Sequence, residues 1–434
     1  MESAPGLHII VVGAGIAGLA TATSLRRAGH TVDLYEKSAQ DNETGAAIYV
    51  PPNASQFLLP WGLDLDKWRF VKSQKVSFLD HTTLEAKMTL SDGMTAKEVA
   101  GAELYYAHRV DLHGCLKWMA TRPDGRGKPA TIHLMSNVTA YDPFTPSITL
   151  ASGEVITADV VIGADGVRSD AVEAIIGDKV QTMRPRFANT CYRFLVPADA
   201  LEADPKTRFW NEGSDGWSRI MIDSVTGRSV VSYPCRSNTI HNFVLINNEE
   251  SNTDVCAEDW HARFKIPDIL QKFSDYDHRL LKVLSKAPDA RRWPLRYRKP
   301  IHQWTKGCMT LAGDACHAML PFLAQGGAQG IEDAVALGVV LHQATTRADI
   351  EKRLQIYQEV RMKRASVIQI LSNMGADHSV SVEDLREYLH DDQIPCGQHD
   401  MMIHNYRYDV AEAATEAMKR YNPSFTLADD FLGR

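Results

Sequence analysis

The 434-residue chain reads as an α/β protein in which a parallel-sheet domain is interrupted by an inserted β-sheet domain and followed by C-terminal helices. Three observations predict this. The apolar run His8-Ile9-Ile10-Val11-Val12 leads directly into Gly13-Ala14-Gly15-Ile16-Ala17-Gly18, as a buried parallel strand feeding a glycine turn and a helix would. Two further signatures follow in fixed order, Gly163-Ala164-Asp165-Gly166 and Gly313-Asp314, the latter trailed by Gly326-Gly327-Ala328. Between them, from about 181 to 295, short alternating runs separated by turns replace the helix–strand pattern.

The elements follow in order. A helix is expected from about Ile16 to Ala28, stopped by Gly29, and Thr31-Val32-Asp33-Leu34-Tyr35-Glu36 completes a βαβ start. Ile148-Thr149-Leu150 turns at Ser152-Gly153 toward Val155-Ile156-Thr157, a hairpin that continues into the apolar run Ala158–Ile162. Strands are expected at Cys191–Val196, Ser229–Tyr233 and Asn242–Ile246, with Trp210, Trp217, Trp260 and Trp293 adding core bulk. Met309–Ala312 resumes the buried-strand pattern, helices follow over about 328–344 and 347–375, and the tail beyond 380 is broken by Asp391-Asp392 and Pro395. The expected division is residues 1–70, 101–180 and 296–345 in the first domain, 71–100 and 181–295 in the inserted one, and 346–434 in a helical region.

Composition narrows the function classes. A length of 434 residues with 44% hydrophobic content fills sizeable cores. Net charge of −7 argues against a nucleic-acid partner. In the basic run Arg291–Lys299, solvated arginines are expected around a buried Trp-Pro-Leu core. The seven cysteines are odd in number and lack a C-x-x-C pair, so no disulfide framework and no metal site are expected. That pattern suits a reducing, cytoplasmic setting. No signal peptide, C-terminal address signal or membrane span is read in the chain.

The chemistry lies in the glycines and the carboxylates that follow them. In a Rossmann-like turn Gly13 permits the tight bend, Gly15 lets the backbone approach a pyrophosphate, and Gly18 lets helix pack on strand. Glu36, eighteen residues after Gly18, is placed to accept from a ribose 2′-hydroxyl, which favours FAD or NAD over NADP at this site. Asp165 ends a strand, where a plain turn role is the alternative. Asp314 ends another, where a carboxylate can hold a ribityl hydroxyl. The amides of a helix opening at Gly326-Gly327-Ala328 can stabilise negative charge on a reduced flavin ring. NAD has no group that needs this third site, so the cofactor is read as FAD.

Together these residues resemble the class A flavoprotein monooxygenases, built like p-hydroxybenzoate hydroxylase, and among them the salicylate hydroxylases and related fungal enzymes. Ala46-Ala47-Ile48-Tyr49-Val50-Pro51-Pro52-Asn53-Ala54, Tyr106-Ala107-His108-Arg109-Val110-Asp111-Leu112 and Gly313-Asp314-Ala315-Cys316-His317-Ala318-Met319-Leu320-Pro321 carry the resemblance. It implies a Rossmann-like FAD-binding domain with an inserted substrate-binding sheet. It also implies FAD as cofactor, NADPH or NADH as co-substrate, O2, and a small substrate that is aromatic, of phenol or benzoate type, or otherwise electron-rich. One oxygen atom would be inserted through a flavin C4a-hydroperoxide.

By the same resemblance, Glu36 and Arg109 bind the nucleotide and diphosphate, Asp165 serves FAD and NAD(P)H, Asp314 holds the ribityl chain, and Gly327 and Ala328 meet the pyrimidine ring. Gly45-Ala46-Ala47 stands where the family often has Gly-Ala-Gly, so Ala47 places a methyl group beside the flavin. Arg193 and Tyr233 resemble a pair that holds a substrate phenolate or carboxylate, the alternative being a surface-paired strand arginine and a tyrosine packed in the sheet. His317 reads as structural, bonded to backbone. Phe322 and Leu323 read as pocket lining, and Tyr105 and Tyr106 as pocket or core. A flavin oxidase or dehydrogenase, and a non-catalytic FAD-binding escort protein, are the competing functions.

Overall fold

The computed structural model describes residues 6–39, 46–90, 95–185, 189–248, 263–374 and 380–433. Strand β1 (His8–Val12) passes through the glycine turn into helix α1 (Ile16–Arg27) and strand β2 (Thr31–Tyr35). Gly29, at φ +97°, provides the left-handed residue that ends the helix. Further along come strand β3 (Ala47–Val50), helix α2 (Arg109–Thr121) and strand β4 (Val160–Gly163). The hairpin before β4 forms as the sequence predicts, with Ser147–Leu150 antiparallel to Val155–Thr157.

The inserted sheet contains β5 (Thr190–Pro197), β6 (Trp217–Ile222), β7 (Ser229–Cys235) and β8 (Ile240–Asn247). The chain then returns through β9 (Met309–Leu311) to helices α3 (Gly326–Leu341), α4 (Arg347–Met374), α5 (Gly397–Tyr406) and α6 (Val410–Tyr421). The tail expected to be broken therefore holds two regular helices beyond its breaks.

A six-stranded sheet runs Thr305–Lys306, β9, β4, β1, β2, Thr131–His133. Its central strands are parallel and buried, which is why β1 and β4 are unbroken apolar runs. Helices α1 and α3 pack unusually close. A Cβ on Gly330 would lie 2.9 Å from the Ala17 Cβ, and one on Gly338 would lie 2.1 Å from the Ser24 hydroxyl.

The second sheet has eight strands, ordered Arg263–Phe264, Ala290–Pro294, β5, β8, β7, β6, Lys75–Leu79, Ala86–Leu90. Alternation along β5 divides it into two faces. Tyr192, Phe194 and Val196 enter a private core with Trp210, Phe243 and Phe273. Cys191 packs on the opposite face with Val244, Ile246 and Leu320, the last of these belonging to the segment between β9 and α3.

Two sequence expectations are corrected here. Arg298 is not solvated: it is buried, and its guanidinium donates to the carbonyls of Ala315 (2.8 Å) and Val167. Trp293, expected inside, is half-buried. Trp260 and Cys256 lie outside the described residues, and the other six cysteines are free thiols. Among the described residues no helix is long and apolar enough to cross a membrane.

Candidate active site

The glycine turn makes different demands at its three positions. A Cβ on Gly13 (φ +101°) would lie 2.4 Å from the Ala164 carbonyl oxygen, and one on Gly18 would lie 1.9 Å from the Gly13 oxygen. Gly15, with ordinary extended backbone at the head of α1, would meet no atom within 4 Å. The protein itself requires the first and third glycines, and beside the second it leaves open space. Glu36 caps this loop: its carboxylate accepts from the amides of Ala14 (2.9 Å) and Ser38 (2.8 Å) and stays partly exposed at the end of β2. Arg109 opens α2, its amide bonded to the Ala46 carbonyl at 2.9 Å, and its guanidinium makes no hydrogen bond or ion pair among the described residues, though it lies near enough to Asp314 to act on its charge.

Farther along the same cleft, Asp314 follows Gly313 (φ +66°) at the end of β9. Its carboxylate opens to the cleft although dense protein surrounds it on the other sides, and that burial raises its pKa against the opposing pull of His317, Arg298 and Arg109. Helix α3 begins beside it with no side-chain cap at Gln325. A Cβ on Gly326 would meet nothing within 4 Å, whereas one on Gly327 would lie 3.0 Å from Ile48. Ala328 is buried. The first amides of a sixteen-residue helix thus face open space with their dipole aligned.

A buried ion network holds that helix start in place. Arg361 on α4 bonds Asp333 at 2.9 Å and also Glu332, and Arg364 reaches Glu332 at 3.3 Å. Asn53 donates to Glu332 (2.6 Å) and to Gln325 (2.9 Å), tying the residue that precedes α3 into the set. His317 joins through Nε2 to Asp333 at 2.7 Å, so it is structural as expected, with a carboxylate partner instead of backbone. Cys316, His317 and Asp333 come within metal-ligand reach of one another, but Asp333 already receives Arg361, His317 and the Gly313 amide. Sequence reading missed Glu332, Asp333, Arg361 and Arg364. The available signal was a Glu-Asp pair inside the apolar run Ile331–Leu341.

Asp165 is drawn mainly to protein. One carboxylate oxygen accepts from Tyr141 (3.1 Å) and from the amides of Asp170 (3.1 Å) and Ala171 (3.3 Å), while the other is buried without a partner. Desolvation raises its pKa.

Strand β3, which pairs with Tyr105–His108 in a small three-stranded sheet, meets the inserted sheet at Ala47. Its amide donates to Asn242 (3.0 Å), and its carbonyl accepts from the Tyr233 hydroxyl (2.8 Å). Tyr233 is buried edge-on against Tyr49 at 4.6 Å, and burial raises its pKa far above the ordinary phenol value. Its proton therefore serves the backbone of β3. Tyr105 and Tyr106 are core residues, with the Tyr106 hydroxyl 2.7 Å from Ser73.

Arg193 lies on the sheet face that looks toward the parallel-sheet domain, in cross-strand register with Val244 and, through it, Val231. Its guanidinium sits 6.0 Å from the Trp293 ring and beside Cys191. Its Nε is buried without a hydrogen bond, and no carboxylate among the described residues pairs with it. A cavity of about 510 Å3 opens beside Phe322 and Leu323, as their pocket reading requires, though Arg193 and Tyr233 are not among its walls.

These residues fit FAD. The open space beside Gly15, the Arg109 guanidinium near Asp314, and the uncapped α3 amides beside Ile16 and Ile48 are groups suited to pyrophosphate, ribityl hydroxyls and an electron-rich ring edge.

Comparison with known proteins agrees. An FAD binding domain family matches residues 134–370, more than half the chain, and an NAD(P)-binding Rossmann-like domain matches residues 11–51. The chain is 88% identical over its full length, and that of the relative, to the FAD-dependent monooxygenase cfoG of Aspergillus candidus. It is 32% identical to hispidin-3-hydroxylase of Neonothopanus nambi, covering 83% of this chain and 86% of that one. A salicylate hydroxylase substrate complex has the same fold, with a TM-score of 0.73, 22% identity, and coverage of 95% of this chain and 98% of the other. The chain belongs to the FAD-dependent monooxygenases of the FAD binding domain family, with the p-hydroxybenzoate hydroxylase type of fold.

Proposed function

We propose that this monooxygenase uses NAD(P)H and O2 to place one oxygen atom on an electron-rich aromatic carbon of a phenol-like small molecule. The observation that carries the reading is a juxtaposition. The uncapped amides of α3 and the Asp314 carboxylate lie within a few residues of the Phe322–Ala324 turn, and that turn lines the cavity. A ring held by α3 would thus border a space for substrate. The 3-hydroxylase among its relatives supports an aromatic substrate.

Bound FAD supplies the redox chemistry with O2. This chain's residues bind and orient it. Gly13, Gly15 and Gly18 shape the pyrophosphate turn, Glu36 takes the ribose, and Arg109 takes the diphosphate. Asp314 takes the ribityl chain, and Gly327 and Ala328 take the pyrimidine edge. Asp165 holds the turn that faces both nucleotides, and Ala47, fixed by Asn242 and Tyr233, limits how close the ring approaches β3. Arg193, a cation without an acidic partner among the described residues, is assigned to an anionic oxygen of the substrate. Tyr233 serves by positioning Ala47. A cytoplasmic site of action, with NAD(P)H at hand, is part of the proposal.

The test is aerobic NAD(P)H oxidation by the holoprotein across a panel of phenols and benzoates, with product mass. Stimulated oxidation with a product heavier by one oxygen supports the reading. Hydrogen peroxide with no hydroxylated product from any member overturns it.

A further inference from the structure

The cavity beside Phe322 is closed on one side by a segment that no flavin motif touches. Helix α5 contributes Gln398, Met401, Met402, Asn405 and Tyr406, a 3–4 spacing that puts all five on one face. Opposite them stand Tyr49 of β3 and Ile220 of β6, so the parallel-sheet domain, the inserted sheet and the C-terminal helices all border one space. The helix is firmly placed. The carbonyls of His404 and Asn405 accept from Arg364 (2.9 Å for Asn405), and Arg364 bonds Glu332 on α3. The wall and the helix expected to hold the flavin ring are thus fixed to one another by a single arginine.

The lining has a definite chemistry. Its volume of about 510 Å3 exceeds what a single benzene ring fills and lies within the range of drug-sized ligand sites. No arginine lines it. Of its charged side chains, Lys75 stacks on Trp217 at 3.9 Å, and Glu103 is paired with Lys72 (2.7 Å) and Lys97 (3.5 Å). The other polar groups are largely hydroxyls and amides. Tyr49 is satisfied by Ser218 at 2.7 Å, and the Tyr406 hydroxyl has no partner among the described residues. Met401 and Met402 add deformable thioethers that suit aromatic faces. An ionised carboxylate would lose its hydration here and find no arginine fork, only Lys75, which is already stacked on Trp217.

We propose that α5 is the specificity wall of the oxygenation site. With the Phe322–Ala324 turn it receives an uncharged, hydroxylated aryl group extending beyond the ring that is oxygenated, and Tyr406 hydrogen-bonds that group's oxygen. This rests on the placement of the flavin ring at α3 given above.

The experiment titrates the flavin absorbance of the holoprotein with phenol, 4,4′-dihydroxybiphenyl and 4′-hydroxybiphenyl-4-carboxylate, which share one phenol end and differ in what extends beyond it. FAD content of each variant serves as the check on folding. 4,4′-Dihydroxybiphenyl should bind tightest. Met402→Trp, which fills the cavity, should weaken 4,4′-dihydroxybiphenyl roughly tenfold or more and leave phenol unchanged. Tyr406→Phe should weaken 4,4′-dihydroxybiphenyl about three- to tenfold.

The inference is overturned if phenol or the carboxylate binds as tightly as 4,4′-dihydroxybiphenyl, or if both FAD-replete variants bind all three probes like wild type. If none of the probes perturbs a fully loaded flavin, the placement of the active site itself is wrong, and the inference falls with it.

Discussion

Gly15 and Gly18 stand three residues apart in one turn, and substitution by alanine should separate their roles. Gly18→Ala drives a methyl group into the Gly13 carbonyl oxygen, so it should destabilise the protein even without cofactor. Gly15→Ala meets nothing in the protein and keeps an allowed backbone, so the apoprotein should melt as wild type does while FAD affinity falls. Thermal melts of the apo forms, paired with FAD titrations, read both effects. An unstable Gly15→Ala apoprotein would contradict the open cradle.

Asp314 carries a second prediction at this scale. Its folded pKa is raised, so between the ordinary carboxylate value of 3.8 and the folded value the native state binds more protons than the unfolded state. Its contribution to stability is present at low pH and is lost as pH rises through that window. Apoprotein carrying Asp314→Asn should lack this loss and be the more stable at neutral pH, yet bind FAD more weakly. Melting temperature against pH for the two apo forms checks the sign.

For Arg193, Arg193→Lys keeps the charge but loses the planar fork. Turnover should fall roughly 10–100-fold at unchanged FAD content, with more peroxide released per NAD(P)H. Wild-type turnover by both Arg193→Lys and Arg193→Ala would make it a structural strand residue.

At the level of elements, the contact between β3 and the inserted sheet depends on two side chains holding one residue's backbone. Tyr233→Phe leaves the Ala47 carbonyl without its donor in a buried place, which should cost about 1–3 kcal/mol in denaturant unfolding. Unchanged stability would show that the bond is replaced by water. Removing Arg361 leaves Glu332 and Asp333 short of a counter-charge at 0% exposure, so Arg361→Leu should cost about 3–5 kcal/mol and loosen the start of α3.

Elements were readable from sequence where local pattern dictates them. The βαβ start, the hairpin before β4 and the long helices α3 and α4 follow from apolar runs, glycine stops and 3.6-residue spacing. β6 escaped notice because Arg219 stands where the alternation calls for an apolar residue. In the fold that arginine is buried between Trp210 (4.3 Å) and Trp217 (3.9 Å), a stacking of cation between indoles that apolar/polar alternation does not register. Its burial without an acid lowers its pKa to about 9.

At the scale of the whole molecule, the ordered glycine and aspartate signatures marked where the chain returns to one cleft, because each sits at the end of a strand in the same parallel sheet. What remained hidden were pairings set by topology alone. Asn53 meets Gln325 across 272 positions, and Ala47 meets Asn242 across 195. Nothing in the local sequence marks either side of these contacts, and only the approach of the inserted sheet to β3, and of the segment around Asn53 to α3, makes them partners. The same holds for α5, which enters the cavity wall through its tie to Arg364.

The central claim is that this cleft transfers one atom of O2 to an aromatic substrate. It is tested most directly by turning over the holoenzyme with NAD(P)H and a phenol under ¹⁸O2 and weighing the product. The account predicts a hydroxylated product carrying one ¹⁸O atom, formed only when FAD, NAD(P)H and the phenol are all present. An oxidised product without label, or label recovered solely in hydrogen peroxide, would contradict it.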